Sequence, residues 1–456
     1  MPSPISEHVA AHADAYLADL LAFLRIPSVS TLPDHAADVR RAAEFTAEQL
    51  RAAGLDNISV VETSGHPLVY ADSLHAPGKP VVLCYGHYDV QPPDPLDQWV
   101  TPPFEPAIRD GNLYARGAAD DKGQMLTHIK AIETLRAVHG SLPVNVKFLI
   151  EGEEEVGGKA IAQYVRENPG NLKADVALVS DTALYADGIP TLCVGLRGLV
   201  YLEIAARGPA RDLHSGLYGG AAPNAVYGLV ELLAKMKDAQ GVIRIPGIYD
   251  DVAAPADAEK ASWSRLPFSE KAFLRDEVGA AALTGEPGYT VLERIWARPT
   301  LEVHGIAGGF TGAGGKTVIP AEAVAKVSLR LVPDQRADRV VDLVKDFVAK
   351  EAPEGVRCEV RVLSAAPASM VNPDHPAIGV AARAFAEVFG RETVFTRSGG
   401  SIPIVGEFQA HLGIPTVLMG FGLPDDGLHS PNEKFRLENY YKGIESVARF
   451  LELYGA

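Results

Sequence analysis

Short apolar runs that end in histidine or acidic residues recur along this chain. The first run, residues 81–85, leads into His87 and Asp89. The later motifs of this kind are Asp120-Asp121, Glu154-Glu155, Asp181 and Gly427-Leu428-His429-Ser430. Short apolar runs are typical of buried strands, and ligands collect at the carboxyl ends of parallel strands in an open α/β sheet. The pattern therefore predicts that side chains distant in sequence converge on one dinuclear metal site.

The order of helical and strand patterns predicts an α/β fold with an inserted segment. Up to about residue 190, helices near 5–24, 38–53 and 122–138 and a short one after Gly158 alternate with strands near 81–85, 144–150 and 176–179. This alternation is typical of a doubly wound sheet. Strands near 200–206, 324–332 and 357–362 and helices near 224–238 and 337–350 then predict an antiparallel sheet with helices on one face. The first pattern resumes with helices near 377–389 and 437–454 and a strand near 416–419.

These patterns divide the chain into two predicted domains. We predict that residues 1–195 and 368–456 form a doubly wound catalytic domain that carries the dinuclear metal site. Residues 196–367 are predicted to form an inserted α+β domain. The least regular stretch, 250–320, is predicted to be an elaborated loop region of that insert.

The charge balance narrows the possible partners. Among 456 residues, 58 are Asp or Glu and 42 are Lys or Arg, which gives a formal charge of -16. Such an acidic chain is not expected to bind nucleic acid or an anionic membrane surface. Acidity does suit a site for divalent cations. An apolar content of 47% is enough to bury a large core.

The cysteines and the first residues predict a cytoplasmic protein. Cys84, Cys193 and Cys358 show no pairing pattern or CxxC spacing, which favours core thiols in a reducing compartment. Residues 1–30 are typical of an amphipathic helix with acidic side chains and not of a signal peptide. No apolar run is long enough to predict a membrane span.

His87 and Asp89 form a His-x-Asp pair directly after a predicted strand. Asp89 can accept a hydrogen bond from the second imidazole nitrogen of His87 and so fix its tautomer, as carboxylates behind metal ligands do. An isolated pair of this kind is weak evidence and by itself favours a structural histidine. The metal interpretation therefore depends on the other motifs.

Asp120 and Asp121 lie where a loop enters the helix predicted near 122–138. One interpretation is N-capping, because carboxylates are stabilised at the positive end of a helix dipole. The other is that one carboxylate bridges two cations while its neighbour turns toward the structure. The pair alone does not decide between them.

Glutamates crowd the end of an apolar strand in the sequence Glu151-Gly152-Glu153-Glu154-Glu155. Charge runs are usually solvated surface, but this run directly follows a predicted buried strand, which would deliver it to the ligand-binding edge of a doubly wound sheet. Asp181 and His429 have the same placement after other predicted strands. Recurrence of one ligand type at several strand ends favours a metal centre over caps and surface charge.

These motifs resemble the M20 metallopeptidases, especially the carnosinase-like cytosolic dipeptidases, along nearly the whole chain. The matching segments, in order, are GHYDVQP, RGAADDKG, EGEEEVGG, SDT, RDLHSGLYGG, GGKTVIP, SLRLVP, RSGGSIP and GLHSPNEK. The resemblance implies that His87 and Asp181 bind one metal, that Glu155 and His429 bind the other, and that Asp120 bridges both. It also implies that Asp89 orients His87 and that Glu154 is the general base.

The chemistry of such a centre is amide hydrolysis. Two divalent ions roughly 3.5 to 4 Å apart lower the pKa of a shared water, polarise the scissile carbonyl and stabilise the tetrahedral oxyanion. Glu154 would take a proton from the attacking water and deliver it to the leaving amine. Nitrogen and oxygen ligands without thiolate fit Zn²⁺, which we expect, and also Mn²⁺ or Co²⁺.

The resemblance implies that the insert is a lid and dimerisation domain and makes the protein a homodimer. His214 matches a histidine that reaches the partner's active site and stabilises the oxyanion, and a surface histidine is the alternative. Thr317, Arg330 and Ser401 match positions that bind the terminal carboxylate of the substrate. Arginine suits that task because its planar guanidinium binds carboxylate bidentately.

Two positions depart from the carnosinase-like pattern. Those enzymes carry a glutamate where this chain has Ser398, and an aromatic residue where it has Ala183. Because a free α-ammonium group needs a nearby carboxylate, N-acyl amino acids or blocked dipeptides become plausible substrates. The sequence thus predicts a metallodipeptidase acting on small peptides, with an N-acyl-amino-acid amidohydrolase or carboxypeptidase of the same fold as the alternative. A non-catalytic metal-binding scaffold is a remote third, disfavoured because a scaffold needs no base at Glu154.

Overall fold

The computed structural model describes residues 2–400 and 402–456. Its helices are α1 (Pro4–Ala11), α2 (Ala13–Leu24), α3 (Ala36–Ala52), α4 (Lys122–His139), α5 (Lys159–Glu167), α6 (Ser215–Tyr218), α7 (Ala225–Met236), α8 (Asp257–Trp263), α9 (Glu270–Ala272), α10 (Val291–Ala297), α11 (Ala337–Glu351), α12 (Pro376–Phe389), α13 (Pro403–Glu407) and α14 (Leu437–Tyr454). None of these helices is long and apolar enough to cross a lipid bilayer.

The strands are β1 (Asp56–Val61), β2 (Leu68–Ser73), β3 (Val81–His87), β4 (Ala107–Arg109), β5 (Asn112–Tyr114), β6 (Asn145–Glu151), β7 (Val176–Val179), β8 (Thr191–Leu196), β9 (Gly198–Arg207), β10 (Leu213–His214), β11 (Thr300–Gly308), β12 (Val318–Ile319), β13 (Glu322–Leu331), β14 (Arg357–Ala366), β15 (Ser369–Met370), β16 (Val394–Ser398), β17 (Thr416–Leu418) and β18 (Lys434–Arg436). The chain divides into two compact units. The first comprises Met1–Val194, Val371–Thr396 and Ile402–Ala456, and the second comprises Gly195–Met370 and Arg397–Ser401.

The first unit is built on a mixed sheet with the strand order β1-β2-β6-β3-β7-β17-β8. Its centre is parallel, because β3 pairs in parallel with both β6 and β7, and β7 pairs in parallel with β17. The strands β3, β6 and β7 are almost wholly buried, which explains why they are continuous apolar runs and not alternating ones. The polar residues that follow β3, β6, β7 and β17 are therefore delivered to one edge of the sheet.

A small three-stranded sheet in the same unit has the order β18-β5-β4. It joins the segment before α4 to the segment before α14, because Phe435 of β18 pairs with Leu113 of β5. Asp120 therefore reaches the site from the loop between β5 and α4, and not from a strand of the central sheet. The sequence pattern did not reveal this second sheet.

The second unit contains an antiparallel sheet with the order β11-β13-β9-β14. Buried and half-buried residues alternate along β9, and the buried side chains pack with apolar side chains of α7 and α11. This arrangement confirms the predicted fold class, a doubly wound α/β unit combined with an α+β unit. The stretch 250–320 is more regular than expected, since it forms α8, α9, α10 and the edge strand β11. Residues 303–308 of β11 are exposed, so they lack the apolar alternation that would have predicted a strand.

Candidate metal centre

His87 is the last residue of β3 and is fully buried. Its Nδ1 lies 3.1 Å from the carbonyl oxygen of Asp89 and 3.3 Å from Oδ1 of the same residue. Because both neighbours are acceptors, Nδ1 carries the proton and Nε2 is free to act as a ligand. Nε2 lies 3.2 Å from Oδ1 of Asp120, which places two potential ligand atoms side by side.

Asp89 has a second role that its sequence position did not indicate. Its Oδ1 accepts the backbone N–H of Glu154 at 3.2 Å, and its Oδ2 accepts the backbone N–H of Glu155 at 3.2 Å. One buried carboxylate thus orients the imidazole of His87 and fixes the single helical turn that carries both glutamates. Asp89 therefore links the imidazole of His87 to the backbone of both glutamates.

The Asp120 carboxylate lies between two histidines. Its Oδ1 is the atom facing His87, and its Oδ2 lies 2.9 Å from Nε2 of His429. Asp121 contacts neither imidazole in this way, and its Oδ2 instead accepts the backbone N–H of His87 at 3.1 Å. The two adjacent aspartates therefore divide in the way that the bridging interpretation requires.

Glu155 and His429 complete the second side of the centre. Glu155 Oε2 lies 3.3 Å from Nε2 of His429 and accepts a hydrogen bond of 2.9 Å from the Gln91 amide. His429 has a left-handed backbone with φ of 58°, an unfavourable conformation for a residue with a Cβ. Strained backbone of this kind is typical of functional loops held in place by their surroundings.

Asp181 reaches the centre from the segment after β7. The turn there is close-packed, because a Cβ on Gly420 would lie 2.0 Å from the Thr182 carbonyl oxygen.

Two groups of ligand atoms can each hold a metal ion, with all atoms of a group within 4.8 Å of one another. They are His87, Asp120 and Asp181 on one side and Asp120, Glu155 and His429 on the other. Asp120 is common to both.

The electrostatics of the cluster favour cations. Burial, reinforced by Glu155 and Asp120, raises the pKa of Glu154 to about 7. Burial, together with Asp120, also raises the pKa of Asp181 well above its ordinary value. Hydrogen bonding to Asp120 and Glu155 raises the pKa of His429 to about 10. Without a metal, the cluster gathers protons to balance its carboxylates, and divalent cations would balance them instead. The nitrogen and oxygen donor set fits such ions.

The glutamates of the 151–155 run have separate roles. Glu151 accepts a hydrogen bond of 2.7 Å from the Tyr85 hydroxyl, beneath the site. Glu153 accepts the backbone N–H of His66 at 3.0 Å and that of Ala160 at 3.3 Å. Glu154 belongs to neither ligand group among the described residues, although it lies on the same helical turn as Glu155.

The second unit holds the other predicted site residues. His214 is the last residue of β10, and β10 pairs with β12, which begins directly after Thr317. Ser215 donates its backbone N–H to the Thr317 carbonyl at 3.1 Å. The His214 and Thr317 side chains are exposed. Arg330 lies on β13 opposite Leu199, and burial lowers its pKa. Ser401 lies outside the described residues.

Arg197 is a residue of this region that the sequence pattern did not identify. Its backbone N–H donates to the Gly400 carbonyl at 3.1 Å, and its Nη2 donates to the carbonyl oxygens of Arg294 at 2.6 Å and Arg298 at 2.7 Å. Burial, with the nearby charge of Arg330, lowers the pKa of Arg197 to about 10. The backbone of Arg197 is therefore joined to the glycine loop that precedes residue 401, and its guanidinium lies near the charge of Arg330. Ser398 in that loop accepts the Gly400 N–H at 3.1 Å.

Comparisons with known proteins agree with this site. The model of Peptidase family M20/M25/M40 matches residues 83–453. The chain is 34% identical to the Cys-Gly metallodipeptidase of Candida albicans over 95% of this chain and 93% of the relative. It is 34% identical to human Beta-Ala-His dipeptidase over 84% of this chain and 76% of the relative.

A solved structure extends the similarity to the fold. It is an M20-family metallo-carboxypeptidase from Sulfolobus solfataricus, with a TM-score of 0.87 and 31% identity, covering 96% of this chain and 99% of the other. These similarities confirm the family resemblance that the motifs predicted.

Proposed function

The chain belongs to peptidase family M20/M25/M40, and we propose that it is a dinuclear metallodipeptidase that hydrolyses the amide bond of dipeptides. The observation that carries this proposal is the pair of ligand groups that share Asp120. A shared carboxylate is the arrangement expected when two ions act on one reacting centre. The relatives named as dipeptidases support the choice of substrate.

In this proposal each predicted ligand has one role. His87 and Asp181 bind one ion, Glu155 and His429 bind the other, and Asp120 binds both. When bound, the two ions lower the pKa of a water and polarise the scissile carbonyl. Zn²⁺ is the expected metal, with Mn²⁺ and Co²⁺ compatible with the same donors.

Glu154 is the proposed general base. Its carboxylate belongs to neither ligand group, and Asp89 holds its backbone through the N–H of Glu154. Burial raises the pKa of Glu154 to about 7, above that of an exposed glutamate. Such a carboxylate is suited to take a proton from water and return it to the leaving amine.

The second unit is proposed to act as the lid and dimerisation domain of a homodimer. We assign His214 to oxyanion stabilisation in the partner's site and Thr317, Arg330 and Ser401 to the substrate carboxylate. The exposed side chain of His214 is compatible with contact outside its own chain. The half-buried guanidinium of Arg330, close to Arg197, supplies the positive charge that a carboxylate needs.

We place the protein in the cytoplasm. The observation that supports this compartment is that Cys84, Cys193 and Cys358 are all free thiols, two of them buried. Free thiols are the usual state in a reducing compartment.

A second candidate is carboxypeptidase or N-acyl-amino-acid amidohydrolase activity at the same centre. Ser398 favours it, because this side chain offers no carboxylate for an α-ammonium group. Glu153 does not replace that carboxylate, since both of its oxygens already accept backbone N–H groups. The similarity to a metallo-carboxypeptidase points the same way.

The test is an assay of the zinc-loaded and manganese-loaded protein on matched free and N-acetylated dipeptides. Metal-dependent turnover of free dipeptides supports the dipeptidase. Faster turnover of the acetylated substrates supports the second candidate. If neither set is hydrolysed although two ions are bound, the proposed activity is wrong and a metal-binding scaffold remains.

A further inference from the structure

We propose that Glu433 is a positioning residue of the metal centre, whose buried carboxylate fixes the loop that carries Asp120 to the segment that carries His429. This inference rests on the proposed function, because it takes Asp120 and His429 as metal ligands. Glu433 belongs to neither ligand group among the described residues, so we expect its effect to be transmitted through the backbone of the Asp120 loop.

The Glu433 carboxylate has four donors from one loop, and its side chain is 0% exposed. Its Oε1 accepts the backbone N–H groups of Ala119 at 2.9 Å and Asp120 at 3.1 Å. Its Oε2 accepts the Gly117 N–H at 2.9 Å and Nη1 of Arg116 at 2.7 Å. The whole acceptor capacity of the carboxylate is thus used to shape residues 116–120.

The loop is built for this buried anion. Gly117 has a φ of +83°, and a Cβ there would lie 2.6 Å from Cγ1 of Val90, so this turn favours glycine. Successive backbone N–H groups aimed at one point form an anion-binding concavity. Since the Asp120 N–H is one of these donors, the carboxylate that accepts it also sets where the Asp120 side chain begins.

Glu433 also fixes the distance between the two ligand-bearing segments. It follows His429 by four residues, within a segment held by a hydrogen bond of 3.0 Å from the Ser430 N–H to the Gly427 carbonyl. Asn432 in the same segment accepts the Val100 N–H at 2.9 Å. His429 Nε2 lies 2.9 Å from Oδ2 of Asp120. A shift of the Asp120 loop relative to Glu433 would therefore change the ligand spacing directly.

Asp426 provides a matched control in the same segment. It is also a buried carboxylate, and it accepts the Leu423 N–H at 2.6 Å and Nζ of Lys434 at 2.8 Å. Its hydrogen bonds therefore lie within 423–434 and do not hold the loop 116–120. Replacing Asp426 tests the loss of a buried acceptor without disturbing the Asp120 loop.

The experiment compares Glu433→Gln with Asp426→Asn. Dissociation constants for Zn²⁺ are measured by competition with a chromophoric chelator, and the visible absorption spectrum of the Co²⁺-loaded proteins reports ligand geometry. An amide NH₂ in place of one oxygen faces backbone donors, so Glu433→Gln should weaken Zn²⁺ binding by about 10- to 100-fold and alter the Co²⁺ spectrum. Asp426→Asn should change Zn²⁺ affinity by less than about threefold and keep the spectrum, whatever its effect on Tm.

Equal Zn²⁺ affinities for Glu433→Gln, Asp426→Asn and wild type would overturn the inference, as would equal losses in both variants. If Glu433→Gln does not fold, Glu433→Asp, which keeps the charge and shortens the side chain, is judged by the same comparison. Wild-type protein that binds two ions and hydrolyses dipeptides, with Glu433 variants unaffected, would leave the proposed function intact. Wild-type protein that binds no metal would remove both proposals.

Discussion

The two units hold their site residues in opposite ways. In the first unit, four of the five proposed ligands are buried or half-buried and His429 is exposed. Asp89 and Glu433 each accept hydrogen bonds from several donors that shape this site. In the second unit, His214 and Thr317 are exposed on a short two-stranded ladder. The first unit is therefore organised within one chain, whereas the proposed role of His214 requires a partner. The following predictions test this difference, from the largest expected effect to the smallest.

Glu154→Gln should lower activity by about 10²-fold or more and leave two ions bound per chain, because it removes a base but no ligand. Activity on a dipeptide and elemental analysis of the same sample check this. Loss of an ion, or a rate close to wild type, would show that the roles of Glu154 and Glu155 are wrongly divided.

Amidation of the substrate's C-terminal carboxylate should lower kcat/KM by roughly 10- to 100-fold, on the scale of a lost hydrogen bond to a charged group. N-acetylation should change kcat/KM by less than about tenfold, since Ser398 supplies no carboxylate. Ser398→Glu is expected to restore a preference for the free amine. Inert acetylated dipeptides alongside good turnover of free ones would refute the role given to Ser398.

His128 should make the first unit sensitive to acid. It is buried beside Ser180, with Nε2 2.6 Å from Oγ, and burial lowers its pKa to about 3. Unfolded histidine binds a proton near pH 6.5, so the unfolded state binds more protons and stability falls as the pH drops below that value. The free energy of unfolding should lose up to about 1.4 kcal/mol per pH unit from this group between pH 6 and 4.

The measurement is urea unfolding at several pH values for wild type and His128→Gln. The difference between the two proteins in free energy of unfolding at pH 8 serves as the reference. The variant should show a shallower decline below pH 6. If the free energy of unfolding falls equally with pH in both proteins, His128 is not the source of the acid sensitivity.

Mixed dimers of His214→Ala and Glu154→Gln subunits should recover roughly a quarter of wild-type turnover, given random reassortment and independent sites. Half of the dimers are mixed, and each mixed dimer has one site with both groups intact. Neither parent homodimer should show this activity. Verified subunit exchange without recovery would contradict action of His214 in the partner's site.

Much of the first unit could be predicted because one physical rule places its ligands. Buried parallel strands are continuous apolar runs, and the residues after them meet at one sheet edge, which anticipates the meeting of His87, Glu155 and Asp181. The position of Asp120 was harder to predict, because its loop is held by hydrogen bonds to Glu433, more than three hundred residues away in the sequence. Backbone donors leave no trace in the sequence.

The second unit was less predictable because its edge strand and its backbone contacts produce no apolar pattern in the sequence. The strand β11 is exposed along most of its length, so no apolar alternation marks it. Arg197 acts through backbone carbonyls of Arg294 and Arg298, which any residue can offer. Its backbone hydrogen bond to Gly400 could be found only once the chain was folded.

The central claim is that Asp120 is shared by two metal ions, and metal content per chain tests it most directly. Elemental analysis of wild type, Asp120→Asn, Asp181→Asn and Glu155→Gln after identical loading should give about two, none, one and one ions per chain, because Asp120 belongs to both ligand groups. Retention of one ion by Asp120→Asn, or loss of both by Asp181→Asn, would contradict a shared carboxylate.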